Sequence, residues 1–264
     1  MDRTPLDLFS STVPYYARFR SGYPGAEVDA LAARLGVNAS CRVLDVGCGC
    51  GQLAIPLARH AGHVIAVDPL QVMLDCGRLV ARAAGVDNIT WVRGDSQHLE
   101  ELVAPEAQAA FFAASFHWTD RSTVAESLDE LLAPSASIVV INDVLSEPEQ
   151  PDWTQAVAEI RRVYLGTDPA ETDRYINPVR SHQEMLIDSP FSSVDRSMWS
   201  WTRQLTVDEV VGLQFSYSFS SSALLGDRAN AFADDVRAAV RVLHPNGVVI
   251  EPFRVEVLVA VRPR

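Results

Sequence analysis

The stretch that most restricts what this chain can fold into is VLDVGCGCGQLA, residues 43–54. A short apolar run carries an acid, Asp45, near its end. Glycines then fall at 47, 49 and 51, and an amphipathic segment begins. Glycine reaches positive φ without penalty and lets backbone N–H groups come close to a ligand. A strand, a glycine turn and a helix at the carboxyl edge of a parallel sheet form the usual small-ligand site of open α/β folds.

The flanking pattern agrees with that reading. Short apolar strands are expected at Cys41–Val46, His63–Asp68, Ile89–Arg93, Ala109–Ser115 and Ala136–Asn142. Helical spacing of apolar residues covers Leu53–Ala61, Leu70–Ala84 and Arg121–Leu132. Pro56 lies within the first of these, so that helix should start late, near Leu53, or kink. Continuous apolar strands alternating with helices imply a parallel sheet covered on both faces. Farther on, helices are expected at Trp153–Tyr164, His182–Leu186, Val207–Phe215 and Asp227–Leu243. Val194–Leu205 and Phe253–Arg262 alternate as strands with one exposed face, which suggests an antiparallel edge on a mostly parallel sheet.

Composition removes several classes of function. With 264 residues, 48% of them hydrophobic, the chain can bury a sizeable core. No apolar run approaches the ~20 residues that span a bilayer. The opening MDRTPLDLFSS has no basic segment followed by an apolar one, so a cytoplasmic protein without membrane partners is expected. The net charge is −12 and every basic side chain is arginine. Nucleic-acid binding, which relies on clustered positive charge, is not expected, and lysine Schiff-base chemistry is excluded. The cysteines at 41, 48, 50 and 76 lack the spacing of a zinc site, and no metal is expected.

The spacing of the loop discriminates among ligands. A dinucleotide site wants G-x-G-x-x-G; here the third spaced position is Gln52. Asp45 beside the loop would repel a pyrophosphate but suits an ammonium group. Asp68 closes the second strand, where a carboxylate can accept both hydroxyls of a ribose. Asp95 follows the third strand, where a carboxylate or its neighbouring amide can read the exocyclic amine of adenine. Amino acid, ribose and adenine in that order describe S-adenosylmethionine. Each acid also has a plainer reading as a helix cap.

At VLDVGCGCGQ, VIAVDP with VML close behind, VRGDSQHL and SFHWTDR, the sequence resembles the class I S-adenosylmethionine-dependent methyltransferases. The His-Trp after the fourth strand and the stretch YYARFRSGYP resemble the branch containing trans-aconitate methyltransferases and small-molecule methyltransferases of secondary metabolism. The resemblance implies a Rossmann-like, doubly wound α/β fold: a mostly parallel seven-stranded sheet with an antiparallel last strand, plus a helical lid insertion. It implies one methyltransferase domain over 1–264. Within it, 1–30 would cover the cofactor, 31–143 form the cofactor-binding core, 147–226 a lid and substrate region around the sixth strand, and 227–264 the closing helix and strand. Cofactor contacts are implied for Asp45, Gly47, Cys48, Gly49, Gln52, Asp68, Pro69, Met73, Gly94, Asp95, Ser96 and Ser115, with Tyr15 and Arg20 from the N-terminal segment. Cys50 departs from the branch, which has a small hydroxyl or glycine there, and the fourth strand lacks the family's opening acid.

Methyl transfer from a sulfonium is an in-line displacement, and positioning the acceptor roughly 3 Å from the methyl supplies much of the rate. A base is needed only for acceptors that are poor nucleophiles when protonated. His117 is the candidate, with Asp120 and Arg121 either orienting it or starting the next helix. Substrate contacts are expected from His117, Trp118, Tyr16 and Tyr175. The region Glu147–Phe219, with Trp153, Tyr164, His182, Trp199, Trp201 and Tyr217, is expected to build the acceptor pocket, although most of these aromatics serve equally well as core. SFHW stands where amide and base N-methyltransferases carry an Asn/Asp-Pro-Pro-aromatic tetrad, which favours a small-molecule acceptor. The quaternary state, monomer or homodimer, is open. Three alternatives stay open at this level: a non-methyl reaction on the same fold, a non-catalytic binding or partner subunit, and a nicotinamide oxidoreductase, against which Gln52 and Asp45 count.

Overall fold

A computed structural model describes residues 12–102, 106–144, 151–166 and 180–263. Seven strands form one sheet in the order β3-β2-β1-β4-β5-β7-β6. The strands are β1 (Arg42–Val46), β2 (His63–Asp68), β3 (Ile89–Arg93), β4 (Ala107–Ala113), β5 (Leu132–Asp143), β6 (Ser193–Thr206) and β7 (Val248–Val261). The first five pair in parallel, and β7 runs antiparallel to β5 with Val139 opposite Val259. This is the doubly wound, mostly parallel α/β sheet expected from the alternating pattern. The order reverses on either side of β1, where such sheets open a crevice at their carboxyl edge.

The chain divides into two compact units, each with its own core. The first holds residues 21–144, 180–199 and 254–263 of the described chain. Its core packs Leu44, Val46, Ile65 and Val67 of the central strands with Phe112, Phe116, Ile138 and Leu258. Strands β1 and β2 are buried along almost their whole length, which is why they read as unbroken apolar runs. The second unit holds residues 12–20, 151–166 and 200–253 of the described chain. Its core gathers Trp153, Val157, Val210, Leu213, Phe232 and Val236. It contains the helices Val13–Phe19, Asp152–Leu165, Val207–Phe215 and Ala229–Leu243. Residues of β6 and β7 contribute to both units. Among the described residues, no helix is long and apolar enough to cross a membrane.

Element boundaries differ from expectation in four instructive places. The first helix after the glycines is a single turn, Ala54–Leu57, with Pro56 inside it. Only a turn this short holds a proline whose missing N–H was never to be bonded. Strand β4 ends at Ala113, two residues early. Ala114 takes φ +52, a left-handed value uncommon outside glycine, and turns the chain out of the sheet. The helix expected from Asp227 begins at Ala229, after a 3-10 turn over Gly226–Arg228. Strand β7 begins at Val248, five residues before the alternation becomes clear.

Candidate active site

Parallel pairing brings the ends of β1, β2, β3 and β4 to one edge of the sheet. Val46 lies beside Val67, and Asp68 beside Arg93. The chain leaves β1 through Gly47, Gly49 and Gly51, at φ +73, +54 and +84. Gly47 and Cys48 both donate their N–H groups to the Val67 carbonyl, at 2.8 and 3.0 Å, so the turn is pinned to the end of β2. Two of the glycines are also required by space. A Cβ on Gly47 would lie 2.5 Å from the Ser115 Cβ, and one on Gly51 would lie 2.6 Å from the Trp91 ring. Trp91 on β3 likewise occupies the space a Cβ on Gly77 would need.

Asp68 braces this turn. One carboxyl oxygen accepts from the Gly49 N–H and the other from the Leu70 N–H, both at 2.9 Å. The side chain is 7% exposed, and burial pushes its pKa up against those two hydrogen bonds. Each oxygen keeps a further lone pair. Asp45, beneath the turn, is in a different state. It is 1% exposed, and neither carboxyl oxygen has a hydrogen-bond partner. Burial raises its pKa to about 7; the nearby Ala54 amide, outside hydrogen-bond geometry with either oxygen, opposes the rise and the Asp68 charge adds to it. A buried carboxyl with two unpartnered oxygens is costly unless a ligand completes it. An ammonium group does so, and it also stabilises the ionised form.

The remaining expected cofactor residues fall into three groups. Ser115 is buried, and its hydroxyl donates to the Val46 carbonyl at 2.5 Å, tying the end of β4 to the start of the glycine turn. Cys48 is buried beside the turn, and Met73 is buried with its sulfur 3.4 Å from the Cys50 thiol. The thiol at 50 is buried and packs against Met73. Gln52 and Ser96 are half-buried, while Pro69 is exposed. Gly94 donates its N–H to the Asp68 carbonyl at 3.2 Å. Asp95 is exposed and already engaged: it accepts from the Gln97 N–H and the His98 imidazole, both at 2.9 Å. Desolvation pushes its pKa up, but the His98 and Gln97 hydrogen bonds together with the His98 charge outweigh it and hold the carboxyl below its usual value.

Tyr15, Tyr16 and Arg20 belong to the second unit. There Tyr15 packs on Phe19 and Phe215, and the Arg20 guanidinium lies 4.0 Å from the Tyr217 ring centre and 5.3 Å from that of Tyr16. The Arg20 Nε is buried without a hydrogen-bond partner. Of the aromatics read as an acceptor pocket, Trp153 is core, its indole N–H donating to the Ile250 carbonyl at 2.9 Å. The Tyr164 hydroxyl donates to Asp235 at 2.6 Å, and Trp201 stacks on Phe253. Trp199 is buried in the first unit with its ring edge toward Tyr23. Tyr175 lies outside the described residues.

After Ala114 the chain forms a 3-10 turn, Phe116–Trp118, which presents His117 half-buried and Trp118 40% exposed. Asp120 caps the helix Arg121–Leu131, accepting from the Thr123 N–H at 3.2 Å. Arg121 reaches elsewhere: its Nη1 donates to the Arg180 carbonyl at 2.8 Å and lies 3.3 Å from the His182 Nδ1. The His182 ring stacks over His117, with centroids 6.3 Å apart and planes 22° apart. Sequence spacing gave no signal for this pairing, because His182 comes from a separate helix, His182–Ile187, far along the chain.

Comparisons with known proteins agree with this geometry. Residues 43–135, about a third of the chain, match the model of the methyltransferase domain family. An uncharacterised methyltransferase of Mycobacterium tuberculosis is 29% identical over 211 residues, covering 80% of this chain and 76% of its own. More partial matches, both 26% identical, are a ubiquinone biosynthesis O-methyltransferase of Xylella fastidiosa, over 53% of this chain and 61% of its own, and a 23S rRNA (uracil-C5)-methyltransferase of Colwellia psychrerythraea, over 56% and 27%. The fold is shared with a methyltransferase of Geobacter sulfurreducens solved with S-adenosylhomocysteine, at a TM-score of 0.54, 16% identity, and coverage of 97% and 98%. A methyltransferase domain lies at residues 43–135, and the chain shares the fold of solved S-adenosylmethionine-dependent methyltransferases.

Proposed function

We propose that this protein methylates a small-molecule acceptor, with Asp45 holding the amino-acid end of the cofactor, Asp68 its ribose, and His117 serving as base where the acceptor is a hydroxyl. The observation that carries the cofactor assignment is Asp45: a fully buried carboxyl whose oxygens have no partner, directly under a glycine turn. Its charge and position suit the ammonium of the cofactor's amino-acid end. Asp68, with lone pairs to spare after bracing Gly49 and Leu70, suits the ribose hydroxyls. Ser115, Met73, Gly47 and Gly49 are further lining candidates, as are Cys48, Gln52, Pro69, Gly94 and Ser96. Asp95, exposed and paired with His98, is assigned at most a peripheral share of the adenine end.

When bound, the cofactor supplies an electrophilic methyl group on a sulfonium. The protein's own part is to orient an acceptor, keep water out and take up a proton. His117 has the right chemistry for that last step and sits at the end of β4, on the same sheet edge as the glycine turn. A small-molecule acceptor is supported by the net charge of −12, unfavourable for a phosphate backbone, and by the partial likeness to a ubiquinone-pathway O-methyltransferase. The same reading assigns acceptor choice to the aromatic-rich segment 147–226 and a cofactor-covering role to the N-terminal segment with Tyr15, Tyr16 and Arg20.

Calorimetric titration with S-adenosylhomocysteine tests the cofactor reading. Micromolar binding is expected, with affinity falling about 100-fold or more in Asp68→Ala through loss of charge-assisted hydrogen bonds worth ~1.5–3 kcal/mol each. A folded unmodified protein that binds no S-adenosylhomocysteine, with or without candidate acceptors present, would overturn it.

A further inference from the structure

We infer that His182 is a positioning residue for His117: a buried imidazole, pinned by Arg121, forms the surface against which the His117 ring is set. The inference builds on the reading of His117 as base. His182 is 5% exposed. One neighbour is the Phe116 ring, edge-on at 5.4 Å, and another is the His117 ring, nearly parallel at 6.3 Å. Its Nδ1 faces the Arg121 guanidinium at 3.3 Å. Arginine is a donor only, so Nδ1 must be the accepting nitrogen and the ring proton must sit on Nε2. One tautomer is thereby selected, and the selecting group is itself fixed through its hydrogen bond to the Arg180 carbonyl.

The start of the short helix carrying His182 is equally well set. Ser181 and Glu184 form a reciprocal capping box, which holds His182 at the first helical position. The Glu184 carboxylate is occupied in that cap by the Ser181 N–H and hydroxyl. Among the described residues, the charged or titratable groups that bear on the His182 ring are Arg121, from the helix Arg121–Leu131, and His117, from the 3-10 turn. Burial, and then these two neighbours, depress the pKa of His182 to about 4. Near neutral pH the ring is an uncharged, flat and immobile partner for His117. A base is effective only when its ring is held within hydrogen-bond reach of the proton it takes, and stacking removes one side of the freedom a half-exposed histidine would otherwise have.

The test is nitrogen NMR of protein labelled with 15N-histidine, assigned through His117→Gln and His182→Phe, without cofactor or acceptor. The unmodified protein should show His182 with an unprotonated Nδ1 and a protonated Nε2, unchanged from pH 5.5 to 8. Arg121→Met should abolish the single tautomer, raise the titration midpoint of His182 by about one pH unit or more, and displace the His117 signals. His182→Phe, which keeps a flat ring, should leave the His117 signals near their original positions, whereas His182→Ala should move them toward those of a free imidazole. A protonated Nδ1 on His182, a titration of His182 inside that window in the unmodified protein, or His117 signals indifferent to both Arg121→Met and His182→Ala would overturn the inference. Full turnover by His117→Ala on an identified acceptor would instead remove the base reading and leave these signals as they are.

Discussion

The glycine turn and the turn that follows β4 lie on the same sheet edge but are built by opposite means. The first is made of main chain from one contiguous stretch. Its Gly47 and Cys48 N–H groups are spent on the Val67 carbonyl and that of Gly51 on the Cys48 carbonyl, its glycines take positive φ, and Asp68 clamps Gly49 from the neighbouring strand. The second is made of side chains gathered from distant places: Ser115 tied back to Val46, His117 stacked on His182, Arg121 spanning to the Arg180 carbonyl. A site built from backbone tolerates almost no change in shape but many in chemistry, and a site built from side chains behaves the other way round. Cys50 illustrates the first case. The thiol is absorbed by packing on Met73 and leaves the turn intact.

That contrast can be broken most sharply at Asp45, where a charge sits inside the backbone-built region. Asp45→Asn is expected to weaken S-adenosylhomocysteine binding roughly 10- to 100-fold, the worth of one charge-assisted hydrogen bond. Its effect on stability should run the other way. The folded pKa is about 7, against ~3.9 in an unfolded chain. Below pH ~4 both states hold the proton and the acid costs nothing. As pH rises from there to 7 the unfolded state releases the proton while the folded state keeps it, and stability falls, by on the order of 2–4 kcal/mol in total. Denaturant melts of the unliganded protein should therefore find Asp45→Asn more stable at pH 8, with the advantage vanishing toward pH 4. In the unmodified protein, binding of an ammonium-bearing ligand should release a proton. Affinity should rise with pH up to about 7, by at most tenfold per unit, and then level off, while the variant stays flat.

Gly47→Ala tests shape in place of charge. It adds a Cβ that would lie 2.5 Å from the Ser115 Cβ, at a residue with φ +73. A loss of about 1–3 kcal/mol in unfolding free energy is expected from strain and overpacking, accompanied by weaker S-adenosylhomocysteine binding. A neutral result would show that the turn is less rigid than its hydrogen bonds imply. The smallest effect belongs to Asp95→Asn. The side chain and its partner His98 are both exposed, so stability should change by less than ~0.5 kcal/mol. Calorimetry should show less than about a tenfold change in S-adenosylhomocysteine affinity. A change as large as that of Asp68→Ala would move Asp95 from the rim of the site to its centre.

Much of the fold was legible from residues alone. Strands β2 and β3 and the helix Val207–Phe215 lie where the apolar patterns put them: β2 is buried almost throughout, β3 keeps Ile89, Trp91 and Val92 half-buried, and the helix buries every residue but Asp208 and Glu209. Boundaries failed where one residue's backbone overrode the pattern. Ala114 ends β4 early by adopting a conformation its sequence does not advertise, and Pro56 limits its helix to one turn. The aromatic residues of the second half were the least readable. Trp153 fills a core and Trp201 stacks within its own unit, while Trp199 and His182 belong to the other. A ring at a given position carries no mark of which cavity or which core it will enter.

What the sequence determined by itself was everything local. Burial on both faces set the parallel strands, and steric freedom at three glycines set the turn. The acid at the end of the second strand was already placed to meet that turn. What only the tertiary structure decided was which side chains meet across long separations. Asp45 is buried with neither oxygen in hydrogen-bond geometry among the described residues, and no sequence pattern encodes the absence of a hydrogen bond. His182 reaches His117 because two helices pack together, and Arg121 selects its tautomer because the guanidinium can only donate. Local geometry is written in consecutive residues; desolvation and pairing depend on the whole chain having folded.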